Sequence, residues 1–218
     1  MAEPDRLVTP EDYLERWSGA HGGYDPRGSV WARGWLGLTH RAALPLARRG
    51  IAPHAVTAAG LAVAALVPVA AWAGAPWAGA ALVVLAGLLD SVDGAVALLT
   101  GRATRSGYVL DSVADRLGEA LLATALWVLG APGWLCVLAA ATAWLHEYVR
   151  ARAVGAGLTG IGVVTVGERP ARLAVAATGL LAAAVLPSAA AVTAAVWAVL
   201  GTVGLAQLAL RGGRSAPR

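Results

Sequence analysis

Four aspartates are spaced so that they could act together, and they lie in stretches that are otherwise strongly apolar. Asp90 and Asp93 are three residues apart, and Asp111 and Asp115 are four residues apart. Spacings of three and four residues place side chains on one face of an α-helix. The sequence therefore predicts two helices, each with an acidic edge formed by a pair of carboxylates.

Small residues accompany the aspartates on both edges. Gly94 and Ala97 lie on the first acidic edge, and Gly107 lies on the second. The segment 101–106 between the two helices is short, so we expect antiparallel neighbours whose acidic edges face each other. Gly94 and Ala97 would then leave room for a nucleotide to approach the backbone of the first helix.

The four carboxylates predict a divalent metal site. Carboxylates that converge in an apolar environment repel one another and need a cation to remain ionised. Only oxygen ligands are available, which favours Mg²⁺ or Mn²⁺ over zinc. The predicted ligands of two ions are Asp90, Asp93, Asp111 and Asp115. Two metal ions that lie about 3.5 to 4 Å apart and share carboxylate ligands are the arrangement used for in-line phosphoryl displacement.

Two other interpretations of the acidic stretch remain open. The aspartates could be interfacial capping or salt-bridge residues, with Arg116 as the partner of one of them. They could also line the path of a cation transporter. A conduction path would need acids across the whole membrane depth, whereas the outer halves of the later predicted spans carry none.

The composition is that of a membrane protein. Of the 218 residues 58% are hydrophobic, the mean hydropathy is +0.64, and residues 55–89 carry no charge. A spanning helix needs roughly 20 apolar residues. We predict an all-α, polytopic membrane bundle of six transmembrane helices. The predicted spans are about 55–74, 77–100, 107–130, 133–154, 170–187 and 189–210.

Charged and uncharged connections alternate between these spans. The turns at 74–76, 130–133 and 187–188 are uncharged, whereas the connections after the second and fourth spans carry arginine. Basic residues are retained in cytoplasmic loops. Six spans therefore put both termini and the acidic edges on the cytoplasmic side of the cell membrane. No recognised nucleic-acid-binding motif accompanies the net charge of +4, so no nucleic-acid partner is predicted.

Four segments divide the chain in this interpretation. Residues 1–26 are polar and predict a flexible cytoplasmic tail. Residues 27–50 mix tryptophan with arginine, which is typical of an amphipathic helix in the membrane interface. Residues 51–210 form the six-helix transmembrane catalytic domain, and residues 211–218 form a basic cytoplasmic tail.

The acidic stretch also carries a family resemblance. Residues 90–98 read DSVDGAVAL and residues 107–115 read GYVLDSVAD. This resembles the CDP-alcohol phosphatidyltransferase signature DxxDGxxARx8GxxxDxxxD, with Leu98 in place of the signature arginine and Arg102 as a candidate to compensate. The resemblance implies transfer of a phosphatidyl group from CDP-diacylglycerol to a polar alcohol, with release of CMP, in phospholipid biosynthesis. It also implies a homodimer.

Three further stretches are similar to one branch of this family, the actinobacterial phosphatidylinositol phosphate synthases. Residues 53–57, PHAVT, resemble P-x-x-V-T; residues 148–153, YVRARA, resemble Y-[IV]-K-A-R-A; and residues 167–173, GERPARL, resemble ERPERL. This favours inositol phosphate as the acceptor, ahead of glycerol phosphate and other polar alcohols. An inactive or divergent family member is the alternative, because Leu98 breaks the signature.

The resemblance assigns roles to the site residues. Asp115 would be the catalytic residue, bridging the ions or acting as general base on the acceptor hydroxyl. The residues expected at the donor nucleotide are Thr57, Gly94, Ala97 and Gly107. The residues expected at the phosphate of the acceptor are Arg150, Arg152, Arg169 and Arg172.

Overall fold

The structure is a computed structural model that describes residues 8–20, 23–157 and 164–212. All regular secondary structure in these residues is helical, as the sequence predicted. The helices are α1 (Pro10–Ala20), α2 (Val30–Arg48), α3 (Pro53–Trp72), α4 (Pro76–Thr100), α5 (Arg105–Val128), α6 (Gly133–Gly155), α7 (Arg169–Ala183) and α8 (Ala189–Gly212). A single 3₁₀ turn, Pro26–Gly28, precedes α2. Most of the predicted basic tail, residues 213–218, lies outside the described residues.

The helices α3 to α8 coincide with the six predicted spans to within a few residues. In the described part of the chain, three helices are long and apolar enough to cross a membrane by length and composition, namely Pro53–Trp72, Pro76–Thr100 and Ala189–Leu210. The chain is therefore a membrane protein. Helices α5 and α6 are less apolar because they carry charged side chains, and α7 has only 15 residues.

One compact unit of the chain comprises Met1–Gly60 and Leu88–Ala114. Its hydrophobic core joins α1 and α2 to the start of α3 and the second half of α4. The buried members of this core are Val8, Tyr13, Leu36, Ala43, Val56, Val92, Ala95, Val96 and Leu99. The glycine at the end of α4, Gly101, has a φ of +64°, which lets the chain leave the helix before α5 begins.

Residues Pro10–Ala20 form a helix where the sequence predicted a flexible tail. The side chain of Thr9 accepts a hydrogen bond from the Asp12 amide at 3.2 Å, and acidic residues in the first turn suit the helix dipole. Tyr13 is only 2% exposed, and its hydroxyl lies 3.2 Å from Oγ1 of Thr39 on α2. The helix is therefore attached to the first unit by a buried aromatic side chain, a contact that its polar composition did not reveal.

The second compact unit comprises Leu61–Gly87 and Asp115–Arg218, and its core is built largely from alanine, valine and leucine. Here α8 packs against α6 and α7. Glycines make this packing close: a Cβ atom at Gly179 would overlap the side chain of Thr193, and one at Gly201 would overlap that of Thr142. Small residues at helix contacts let backbones approach closely, as is typical of membrane helices.

The close contact at Gly201 yields a stability prediction. Gly201→Ala is expected to lower the midpoint of thermal unfolding in detergent, because overpacking of this kind costs about 1 to 3 kcal/mol. Gly118→Ala on α5 is the matched control. Its added Cβ would meet nothing within 4 Å, and alanine is the better helix former by roughly 0.5 to 1 kcal/mol. A Gly201→Ala protein as stable as the parent would contradict the close packing of α6 and α8.

Candidate active site

Three of the four aspartates lie together. One carboxylate oxygen each of Asp90, Asp111 and Asp115 lies within 4.8 Å of the other two. Asp90 and Asp111 lie in the first unit, and Asp115 follows Asp111 by one turn of the same helix α5. All three side chains are partly buried. An all-oxygen set at this separation fits a hard divalent cation such as Mg²⁺ or Mn²⁺.

Asp93 is placed differently from the other three. Its side chain is 6% exposed, and Thr57 Oγ1 donates to its Oδ2 at 2.5 Å. The same hydroxyl lies 3.2 Å from the carbonyl oxygen of Pro53, one turn earlier on α3. Thr57 therefore fixes the rotamer of a predicted metal ligand. The predicted contact of Thr57 with a nucleotide stays a prediction.

The small residues of the two edges have different surroundings. A Cβ atom at Gly94 would meet nothing within 4 Å, and the residue is exposed, so the side of α4 next to Asp90 is open. Ala97, one turn on, is partly buried. At Gly107 an added Cβ would lie 3.0 Å from both His54 Cε1 and Thr104 Oγ1. A side chain at 107 would therefore crowd His54 and Thr104 within the first unit, in addition to any effect on a nucleotide.

Asp115 is flanked by two arginines in the second unit. Arg169 Nη2 lies 2.8 Å from Asp115 Oδ1, and Arg116 Nη2 lies 3.7 Å from Asp115 Oδ2. All three side chains are about one-fifth exposed, so their charges are only partly screened by solvent. Arg116 is the residue that the salt-bridge interpretation named as a partner of one aspartate, and this pairing is present together with the cluster of aspartates.

Arg172, a predicted ligand of the acceptor phosphate, is a fully buried residue. Its guanidinium lies 2.6 Å from Glu119 Oε1 and 3.4 Å from Glu147 Oε1, and it also donates to the carbonyl oxygen of Gly167. The Arg172 side chain is 0% exposed and that of Glu119 is 1% exposed. These contacts join α5, α6 and the segment before α7 through Arg172, and its predicted contact with the acceptor phosphate stays a prediction.

Arg150 binds a carboxylate of its own. Its Nη1 and Nη2 donate to Glu168 Oε2 and Oε1 at 2.9 and 2.6 Å, which is a bidentate pair. Glu168 also accepts hydrogen bonds from the amide and the hydroxyl of Thr165. Oγ1 of Thr165 lies 2.9 Å from Nε2 of His146, which is fully buried. Arg152, two residues further along α6, is exposed.

The surroundings of Glu168 lower the pKa of its carboxyl group. Burial alone raises this pKa, but the hydrogen bonds from Arg150 and Thr165 outweigh burial. A lowered folded-state pKa contributes stability that is present above the ordinary pKa of glutamate and lost as the pH falls through the lowered value. The link between α6 and the segment before α7 is therefore intact at neutral pH.

The residues of this region that the sequence did not reveal are Thr165 and Glu168. Glu168 lies in the segment GERP, next to the arginine that the sequence assigned to the acceptor phosphate. Its position directly before the first turn of α7 is a signal in the sequence that could have indicated it. Thr165 carries no local signal, because its partners lie in other parts of the sequence.

Comparison with known proteins establishes the family. The model of the CDP-alcohol phosphatidyltransferase family matches residues 50–205. The phosphatidylinositol phosphate synthase of Mycolicibacterium smegmatis is 34% identical over 153 residues, which cover 66% of this chain and 68% of the relative. The archaetidylinositol phosphate synthase of Aeropyrum pernix is 37% identical over 137 residues, which cover 60% of this chain and 71% of the relative.

Solved structures agree with this result. Two crystal structures of the phosphatidylinositol phosphate synthase of Mycobacterium tuberculosis, one with CDP-DAG bound and one with manganese and citrate, each match with a TM-score of 0.71 at 28% identity. Each covers 81% of this chain, and the chain covers 94% and 90% of the two structures. This protein belongs to the CDP-alcohol phosphatidyltransferase family and is an enzyme of phospholipid biosynthesis, which confirms the predicted family and enzyme class.

The buried pair of Arg172 and Glu119 yields the second prediction. Arg172→Met is expected to lower the free energy of unfolding by about 3 to 5 kcal/mol, because it leaves a buried carboxylate without its cation. Arg152→Met is the matched control, since that arginine is exposed and comes from the neighbouring arginine motif. The measurement is thermal or denaturant unfolding of the purified protein.

A double variant separates pairing from simple loss of contacts. Arg172→Met with Glu119→Leu removes both charges and should recover part of the stability lost by Arg172→Met alone. If the double variant is less stable than Arg172→Met by the full cost of a second core substitution, the stability lost by Arg172→Met does not come from the broken ion pair.

Proposed function

We propose that this enzyme transfers the phosphatidyl group of CDP-diacylglycerol to a hydroxyl of inositol phosphate and releases CMP. The observation that carries the proposal is the group of carboxylate oxygens of Asp90, Asp111 and Asp115 within 4.8 Å of one another. It is supported by the CDP-DAG and the manganese bound in the related crystal structures and by the fact that the relatives are inositol phosphate synthases.

The aspartates are proposed to hold Mg²⁺ or Mn²⁺, as two ions. When bound, the ions would supply positive charge to the diphosphate of the donor and its leaving group. Asp90, Asp111 and Asp115 would be ligands from the cluster. Asp93, whose carboxylate accepts a hydrogen bond from Thr57, would be the fourth ligand. Asp115 is also the residue proposed to accept the proton of the acceptor hydroxyl.

The acceptor phosphate is proposed to bind at arginines of the second unit. Arg169 is the best placed of them, because its guanidinium is 2.8 Å from Asp115 and partly exposed. Arg150 and Arg152 would contribute from α6, and Arg-to-phosphate contacts of this kind are frequently bidentate. Arg172 would contribute by positioning the other arginines and would not itself contact the phosphate, since Glu119 and Glu147 hold it in the interior.

The donor nucleotide is proposed to lie along the open side of α4. Gly94 leaves the backbone accessible there, and Ala97 continues the same edge. Gly107 would bring the start of α5 close to the ligand. Thr57 would take part through the carboxylate of Asp93, or by direct contact with the nucleotide.

In the membrane, α3 to α8 are proposed to be six spans, with both termini and the site on the cytoplasmic side of the cell membrane. The arginine-bearing connections support that orientation. The tryptophans near the uncharged turns, Trp72, Trp77, Trp127 and Trp134, are exposed, as expected of an aromatic belt. Helix α2 is proposed as the interfacial helix, with Trp31 90% exposed. A homodimer is also proposed.

The third prediction tests the reaction. Purified enzyme in detergent with radiolabelled CDP-diacylglycerol and Mg²⁺ or Mn²⁺ is expected to release CMP when inositol phosphate is added, and to do so less with glycerol phosphate. Asp115→Asn should lower the rate by at least about 100-fold, as expected for loss of a general base or a bridging ligand. Chelation of the metal should abolish the reaction.

The outcomes separate the alternatives. Release of CMP with a different polar alcohol would change the acceptor and keep the reaction. Absence of CMP release with every acceptor, from a protein that remains folded, would favour the inactive family member that Leu98 suggests.

A further inference from the structure

The one departure from the family signature has a partner in the structure. Leu98 stands where the signature has arginine, and Arg16 on α1 donates from Nη1 to the carbonyl oxygen of Leu98 at 3.1 Å. The two residues are 82 positions apart in sequence and belong to the same compact unit. A guanidinium is therefore present beside the position that the signature reserves for one, but it comes from a different helix.

Leu98 lies one turn beyond Gly94 on α4, and its side chain packs against the core that α1, α2 and α4 share. Asp90, Gly94 and Leu98 are four residues apart from one to the next, so they follow one another on a single face of the helix. The middle of this row is open, because a Cβ atom at Gly94 would meet nothing within 4 Å. A ligand that lies along α4 from Asp90 over Gly94 would therefore reach Arg16 at its far end.

The docking of α1 holds Arg16 in place. Tyr13, three residues before Arg16, is 2% exposed and contacts Thr39 through its hydroxyl. Tyr13 shares a buried core with Val92, Val96 and Leu99 of α4. Arg16 itself is exposed, so its side chain is accessible to a ligand on a helix that the buried Tyr13 anchors.

Arg102, the sequence-based candidate to compensate, has a different contact. Its Nη1 donates to the carbonyl oxygen of Gly50 at 3.3 Å, in the turn between α2 and α3. It lies beyond the end of α4, whereas the Leu98 carbonyl that Arg16 contacts lies within the last turn of that helix. Of these two arginines, Arg16 is therefore the one that is hydrogen-bonded to Leu98.

We propose that Arg16 takes the place of the missing signature arginine and contacts the diphosphate of the nucleotide donor. A guanidinium carries five N–H donors, and the bond to Leu98 uses one of them. Its planar fork matches phosphate oxygens in bidentate geometry. This inference rests on the proposed function, since it names a donor-binding residue for the same site.

A simpler role for Arg16 would be to cap α4. The last carbonyl groups of a helix lack intrahelical partners, and an arginine near them is favourable to the helix dipole. A cap contributes to stability and has no direct effect on ligand affinity. The two roles are therefore separated by measuring the Kd for CDP-diacylglycerol and the unfolding midpoint on the same variants.

The fourth prediction compares Arg16→Ala with Arg41→Ala. Arg41 is an exposed arginine on α2 of the same unit, so both variants lose one positive charge. Arg16→Ala is expected to raise the Kd and the KM for CDP-diacylglycerol about tenfold, the effect of losing one charge-assisted hydrogen bond, with the KM for the acceptor unchanged. Arg41→Ala should leave all three constants unchanged. Binding is measured calorimetrically in detergent with Mn²⁺ present.

Rescue in the same chain is the sharper test. Leu98→Arg restores the signature arginine, so the double variant Arg16→Ala with Leu98→Arg is expected to recover the Kd of the parent. Equal behaviour of Arg16→Ala and Arg41→Ala overturns the proposal. Failure of Leu98→Arg to restore binding, in a protein with the parent's unfolding midpoint, also overturns it.

The proposed function and this inference fail in different ways. If the parent binds CDP-diacylglycerol without releasing CMP, and Arg16→Ala weakens that binding, the proposed reaction is wrong and the proposed role of Arg16 is supported. If the parent turns over and Arg16→Ala is unaffected, only the role of Arg16 is wrong. If the parent neither binds nor turns over the donor, both are overturned.

Discussion

Carboxylates on helices with strongly apolar neighbours need cations close by, and this constraint accounts for much of the polar structure. An ionised acid away from water costs several kcal/mol unless it is paired or coordinated. In the second unit the acids are met by arginines, as in the pairs of Asp115 with Arg169 and of Glu119 with Arg172. In the first unit Asp93 is stabilised by the hydroxyl of Thr57. The cluster with Asp90 and Asp111 offers oxygen atoms at a spacing that suits a divalent ion.

The arginines of the second unit divide into two kinds for a physical reason. Arg172 has no exposed surface and is held by two carboxylates and a carbonyl group, so a phosphate could reach it only by breaking a buried ion pair. Arg169 and Arg150 are partly exposed and can exchange a carboxylate for a phosphate at a smaller cost in desolvation. Spacing in the sequence does not distinguish these cases, because all of these residues lie in arginine-rich motifs near helix ends.

What could be predicted from the sequence is what helices determine locally. Apolar length and the uncharged turns placed α3 to α8 within a few residues. The spacing of the aspartates predicted an acidic edge on each of two neighbouring helices, and Asp90, Asp111 and Asp115 of these edges lie together. The rest depends on contacts between distant residues. Thr57 and Asp93 are 36 positions apart, and Glu119 and Arg172 are 53 apart. Helix α1 escaped prediction because one buried tyrosine in a polar segment gives no periodic signal.

A sequence signature specifies where a residue lies along the chain, whereas the affinity for a ligand depends on where the charge of that residue lies in space. On α4 an arginine at position 98 would extend from the same row as Asp90 and Gly94. Arg16 brings the same group to the same turn from a helix that the signature does not include, and the core around Tyr13 and Val96 fixes that helix. The loss of one signature residue is therefore compatible with an active site whose charge distribution is preserved, provided that α1 remains docked.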